Sequence, residues 1–187
     1  FHITCITHRK NPIYSATIVG KPPMEDCFLA KATERIFLPL LQQTLPEIRD
    51  INFPLEGVFH DCVMVSIKKT YPQQAKKVMH AIWGMGQMMF TKMIIVVDEH
   101  VDVQKEKEVW WRVFNNIDAK HDIVMVEGPL DALDHSSPMA KWGTKIGIDA
   151  TKTWPEEGHT REWPDEINMS DDIKKLVDAK WQELGLE

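Results

Sequence analysis

The seven residues MIIVVDE, Met93 to Glu99, decide how the rest of the chain is read. The apolar run is continuous, short and free of polar alternation, as in a central strand covered on both faces. Upstream, VFHDCVMVSIKK (58–69) is rich in β-branched residues and reads as a second strand. Between them, YPQQAKKVMHAIWGMGQMMFTK (71–92) reads as a helix with Pro72 near its first turn. Downstream follow a helix in QKEKEVWWRVFNNI (104–117) and a buried-type strand in DIVMVEG (122–128). From Ser66 to Gly128 the order is strand, helix, strand, helix, strand. Two such crossovers predict an α/β fold, a mixed or largely parallel sheet with helices on both faces.

Working outward, FHITCITH (1–8) and IYSATIV (13–19) alternate like strands around the turn cluster RKNP and predict a hairpin. DCFLAKATERIFLPLLQQTLP (26–46) carries Leu29, Ile36, Phe37, Leu40 and Leu41 near helical period, with Pro39 expected to kink the last turns. IRDINFP (48–54) is a further strand candidate. From Pro129 to Glu166 only KIGIDAT (145–151) is strand-like, and the rest reads as a packed, meandering segment. SDDIKKLVDAKWQELGL (170–186) predicts a terminal helix, with Ser170 as its cap, Asp171 and Asp172 at its positive end and Gly185 at its close. Its apolar face of Ile173, Leu176, Val177, Trp181 and Leu184 suits either a neighbouring molecule or its own sheet.

The 187 residues, 43% apolar and 27% charged, predict one domain (1–187) with a real core. A net charge of -6 opposes a nucleic-acid partner. No stretch approaches the roughly 20 apolar residues of a membrane span, and no secretory h-region is visible. Cys5, Cys27 and Cys62 are scattered and odd in number, which predicts neither disulfides nor a zinc site and fits the cytoplasm. The chain opens on a strand-like run without an initiator Met, as expected of one domain of a longer polypeptide.

The turn GKPP, Gly20 to Pro23, lacks the residues of a phosphate loop, so it reads as a rigid apolar pocket lip or as a stiff connection launching the next helix. GMGQMM (84–89) lies inside a helical pattern and gives no dinucleotide fingerprint. In HDC (60–62), neighbouring strand residues point to opposite faces, which argues against a metal site. DHSS (134–137) is contiguous, whereas hydrolase triads converge from separated positions. Asp98 ends a buried strand: either it shares a ligand rim with Gly128 and the GKPP turn, or it caps the next helix or merely solvates the strand end. Lys141, Lys145 and Lys152 place cations around a candidate anion site, although lysines are usually solvated.

FHITCITHRKNPIYSATIVGKPPMED, ERIFLPLLQQTLPEI, VSIKKTYPQQAKKVMHAIWG, FTKMIIVVDEHVDV and SSPMAKWGTKIGIDATKTWP together resemble the C-terminal part of the UbiD family of decarboxylases. That family includes 3-polyprenyl-4-hydroxybenzoate carboxy-lyase of ubiquinone biosynthesis. The resemblance implies a parent enzyme using prenylated FMN, with manganese and potassium, for non-oxidative decarboxylation of aromatic or unsaturated acids. The cofactor then supplies the electron sink and the protein orients it. The family's flavin-binding domain and its Glu-Arg-Glu catalytic set precede the region matched, so no catalytic residue and no metal ligand is expected in this chain, which alone is expected to be inactive and to hold no cofactor tightly.

By the same resemblance this domain closes over the flavin domain of the same polypeptide, lines the substrate pocket and builds a homo-oligomer. Gly20, Lys21, Pro22 and Pro23 fall on the cofactor and substrate side, EGPL brings Pro129 and Leu130 to the pocket, and Lys92 falls near a cofactor-proximal lysine of some relatives. Many relatives carry Arg where this chain has Asn116, which bears on a main-chain potassium contact. A polyprenyl substrate would add peripheral membrane contact. The alternatives are an independent small-molecule-binding α/β domain and a purely structural assembly module.

Overall fold

A computed structural model describes residues 1–59, 61–181 and 183–185; His60, of the HDC triplet, lies outside the described residues. The central run forms β3 (Met93–Asp98), and strand geometry divides its apolar side chains between two layers. Ile94 and Val96 join Val63, Val65 and Ile67 of β2 (Cys62–Ile67) on one face. Against that face pack Ala30 of α1 (Glu25–Thr44) and Ala75, Val78, Met79 and Ile82 of α2 (Gln74–Trp83). Ile95 and Val97 join Met64 on the other face, under Val109 and Val113 of α3 (Glu106–Asn116). A fully buried Val or Ile side chain contributes about 1.5–3 kcal/mol before ordering entropy is subtracted, so the two-layer core carries the stability.

A short α4 (Ala119–Asp122) leads into β4 (Ile123–Pro129), and β5 (Trp142–Asp149) follows. The sheet order is β1-β2-β3-β5-β4, with β1 spanning Ile48–Asn52. Strands β2, β3 and β5 are parallel, and β1 and β4 run antiparallel at the edges. The sheet is thus mixed, with helices on both faces, as expected. Chain order does not give spatial order: β5, from the segment read as meandering, takes the interior place beside β3. Its last three residues are buried, whereas β4 alternates between partly buried and exposed positions, as suits an edge.

Other expectations change. Residues 1–19 are exposed and form no strand pairing, so the predicted hairpin is absent. The alternation favours a strand, but a ladder needs a partner, and none faces this arm among the described residues. The long helix expected over 71–92 ends at Trp83, and Gly86, at φ +43°, opens a separate 3-10 turn (Gly86–Phe90). Pro39 sits inside α1, which nevertheless runs to Thr44.

Helix α5 (Asp171–Lys180) begins where expected, with Ser170 Oγ accepting from Ile173 N at 3.4 Å. It buries no residue, so it does not pack on its own sheet. Among the described residues no helix is long and apolar enough to cross a membrane.

Candidate functional site

Strand direction sorts the chemistry-bearing residues between two edges. Cys62, Met93 and Trp142 open the parallel strands, while Ile67, Asp98 and Asp149 close them. Pro129 pairs with Trp142 in the antiparallel β4–β5 ladder, so Gly128 and Pro129 lie on the amino edge. Asp98 lies on the carboxyl edge, eight residues further along the sheet by the strand register, roughly 26 Å at about 3.3 Å per residue. The shared rim expected for Asp98 and Gly128 is therefore overturned, because an apolar run does not state which way its strand runs. Asp98 instead accepts the Lys152 amide at 2.8 Å, holding the segment after β5; it does not cap the next helix, whose N-cap is Lys105.

The amino edge is where Lys92 sits, one residue before β3, its carbonyl accepting from Ile146 N at 2.9 Å. Its ammonium reaches Asp134, 2.9 Å from Oδ2, and also donates to Ser136 Oγ. Asp134 forms a local turn by accepting from Ser136 N (2.9 Å) and Ser136 Oγ (2.7 Å). Burial opposes the charge of Asp134, but hydrogen bonds from Ser136 and Lys92 outweigh it and hold the carboxyl at about 2. DHSS is thus an anchor for Lys92 rather than a triad, and His135 is exposed. An Asp-x-Ser turn is a local signal that the reading of DHSS did not use; its pairing with Lys92, 42 positions away, leaves no local signal.

Beside this pair lies a cleft of about 470 Å³ lined by the first turns of α1, by Val58, Phe59 and Asp61, and by the loop after β4. Leu29, Val58, Phe59 and Leu133 supply its apolar wall, and Asp26, Asp61, Asp131 and Asp134 its carboxylates. Val58 and Phe59 have φ of 40° and 72°, a left-handed pair that non-glycine residues rarely adopt.

The other expected site residues occupy distinct positions around this edge. Gly20, Lys21 and Pro23 are exposed and Pro22 is half-buried, in a turn leading directly to Asp26 of the cleft. No atom lies within 4 Å of a Cβ built on Gly20, so the turn is open around it. Pro129 is exposed, whereas Leu130 is 2% exposed, with its Cδ1 2.9 Å from where a Gly143 Cβ would stand. Leu130 supports the hairpin from beneath; Pro129 faces outward.

The three lysines proposed around an anion do not converge. Lys145 is 2% exposed and donates to the Met89 carbonyl, and burial lowers its pKa. Lys141 is exposed on the hairpin, and Lys152 follows β5 at the opposite edge. Burial, with Glu106 and Asp61 adding to it, pushes the Cys62 thiol up to about 12, far from thiolate chemistry. Among the described residues no three His, Cys, Asp or Glu side chains gather to hold a metal. Asn116 donates from Nδ2 to the Ala150 carbonyl at 2.9 Å, tying α3 to the carboxyl edge.

Comparison with known proteins gives this geometry a setting. A model of the 3-octaprenyl-4-hydroxybenzoate carboxy-lyase C-terminal domain matches residues 27–150. An uncharacterized protein of Archaeoglobus fulgidus is 56% identical over 185 residues, covering 98% of this chain and 38% of that protein. One from Aquifex aeolicus is 50% identical over 186 residues, covering 100% and 38%. Among solved structures, the vanillic acid decarboxylase of Sedimentibacter hydroxybenzoicus in closed form matches with TM-score 0.82 and 29% identity over 97% of this chain and 38% of that one. Its open form matches with TM-score 0.77 and 28% identity over the same shares. The UbiD-class enzyme HmfF of Pelotomaculum thermopropionicum, in complex with FMN, matches with TM-score 0.69 and 26% identity over 82% and 34%. The chain thus spans under two-fifths of the length of these relatives, about 38% of each curated one.

Proposed function

Because the chain belongs to the UbiD family, as its carboxy-lyase C-terminal domain, we propose that it is the substrate lid and assembly domain of a prenylated-FMN-dependent decarboxylase. The parent acts on aromatic or unsaturated acids, of which 3-polyprenyl-4-hydroxybenzoate is one, in the cytoplasm. The observation that carries this reading is the amino-edge cleft, whose apolar members Leu29, Val58, Phe59 and Leu133 are set between α1 and the β4–β5 hairpin. Such a surface excludes water and selects a substrate better than it moves protons. In this reading Gly20, Lys21, Pro22, Pro23 and Pro129, all exposed but the half-buried Pro22, turn towards a flavin-binding domain, and Lys92 and Leu130 line the pocket with them. The better match to the closed than to the open form of the vanillic acid decarboxylase supports a covering role.

The donor set does not fit a holder of the flavin phosphate or of manganese. Lys92 is engaged by Asp134, four carboxylates line the cleft, and no triple of metal ligands converges among the described residues. No step through the flavin is assigned to this chain, and the flavin-binding domain is its proposed partner. The test is a decarboxylation assay on the 187-residue chain with added prenylated FMN. No turnover is expected; measurable carbon dioxide release overturns the division of labour. The assembly half of the reading is favoured by α5, which leaves Ile173, Leu176 and Trp181 44%, 50% and 47% exposed.

A further inference from the structure

On the carboxyl edge, between α3 and the stretch from Lys152 to Asn168, lies an open cleft of about 1110 Å³. Arg112 lines it while only 5% exposed. Its guanidinium stacks on Trp111 at 4.4 Å and one terminal N–H pairs with Glu166, but Nε finds no acceptor among the described residues. A guanidinium offers five donors in a rigid fork, and a buried donor left unmet is unfavourable. The site is therefore built for a better acceptor than it now holds.

Glu166 shows what that acceptor resembles. It arrives from an exposed stretch, Pro164 to Ser170, with its own side chain 31% exposed. Among the described residues its carboxylate pairs with Arg112 and, at 3.7 Å, with His100, and Lys152 adds attraction. The walls are flat: Trp163 stacks on His159 at 4.3 Å and is fixed by its Nε1 donating to the Thr153 carbonyl at 2.9 Å. Glu108, Asp118 and Asp165 also line the cleft, so a dianion such as phosphate meets more repulsion than a monoanion.

We propose that this cleft binds a small monocarboxylate carrying a flat ring, its carboxylate taking Arg112 in place of Glu166 and its ring lying along the tryptophans. Glu166 is then an internal occupant that an incoming acid displaces. The inference is independent of the lid reading, since it concerns the opposite edge.

Calorimetric and tryptophan-fluorescence titration of the chain with benzoate tests it, with benzamide and inorganic phosphate as controls. Benzoate is expected to bind, while benzamide and phosphate bind at least about tenfold more weakly, since charge-assisted bidentate pairing is lost or repelled. Glu166→Gln is expected to tighten benzoate about tenfold by removing a charged competitor, and Arg112→Lys to weaken it about tenfold by removing the fork. Unchanged benzoate affinity in Arg112→Lys, or no benzoate binding by Glu166→Gln, overturns the proposal. If Arg112→Lys fails to fold by circular dichroism, the comparison of Glu166→Gln with wild type decides alone: tighter binding supports the site, and equal or weaker binding overturns it.

Discussion

Lys69 and Glu157, 88 positions apart, meet at 2.5 Å with side chains only 3% and 1% exposed. Lys69 also donates to Thr151 Oγ1 and the Lys152 carbonyl, and Glu157 accepts the Gln73 and Trp154 amides. The pair fastens the segment after β5 to the end of β2 and the start of α2. Removing one partner of a buried pair strands the other charge, so Lys69→Met is expected to lose about 3–5 kcal/mol in urea unfolding. Adding Glu157→Gln should restore part of the loss, and strict additivity of the two losses contradicts the pairing.

Asp134 gives stability a dependence on acid. Its folded pKa, about 2, lies below the ordinary aspartate value, so its contribution is present above about pH 4 and fades as pH falls towards 2. Asp134→Asn is expected to be less stable than wild type at pH 7 by about 1 kcal/mol, allowing for solvent screening at this rim. In urea titrations across pH 7 to 2 the gap should close at the acid end; a constant gap rules the anchor out.

Asp98 should behave oppositely. Burial raises its pKa, and the Lys152 amide only partly offsets this. Its charge therefore weakens the fold at neutral pH, and that penalty is relieved as pH falls through the raised folded value. Asp98→Asn keeps an acceptor for the amide, so it is expected to unfold at an equal or higher urea concentration than wild type at pH 7. A clear drop in midpoint would show that the ionised carboxylate stabilises.

Gly143 is where the loop after β4 lies flat on β5. A Cβ there would stand 2.9 Å from Leu130 Cδ1 and 3.0 Å from Ser137 Cβ. Gly143→Ala is expected to destabilise by about 1–3 kcal/mol through overpacking. Shortening the neighbour in Gly143→Ala/Leu130→Val should relieve some of that strain in the same unfolding assay. A double variant no more stable than Gly143→Ala would refute Leu130 as the obstacle.

Deleting Ser170 to Glu187 separates assembly from folding. Helix α5 buries no residue on its own domain, so the unfolding midpoint of the remaining chain is expected to stay within a few degrees. Light scattering should register a lower oligomeric mass for the truncated chain. An unchanged mass argues against assembly through this helix.

The sequence disclosed most of the layers and little of the arrangement between them. MIIVVDE identified itself because a strand buried on both faces has no alternation to hide. Helix α5 was legible from its cap and first-turn acids, which act within one turn. Strand direction and neighbour order were not legible, because they depend on which ladder is completed; hence a rim shared by Asp98 and Gly128 stayed open on sequence alone. The alternating arm before Gly20 shows the converse, a strand pattern with no partner strand to pair. Lys92 is singled out by the resemblance alone, and its engagement with Asp134 and the burial of Leu130 are products of tertiary packing. Arg112 carried no local signal, lying in a helix whose pattern explained it as one more charged residue.

The place of β5 in the sheet sets a timetable for the nascent chain. Strands β2 and β3 with α2 between them are available once Asp98 has been made, but the neighbour of β3 ends only at Asp149. At about 5–20 residues per second the roughly fifty intervening residues take about 3 to 10 s. Throughout that interval Ile94 to Val97 line an open sheet edge, and β4 is made before it has anything to pair with. The interval between these two strands is therefore when the growing polypeptide is most open to mispairing, and when a chaperone would have the most to shield.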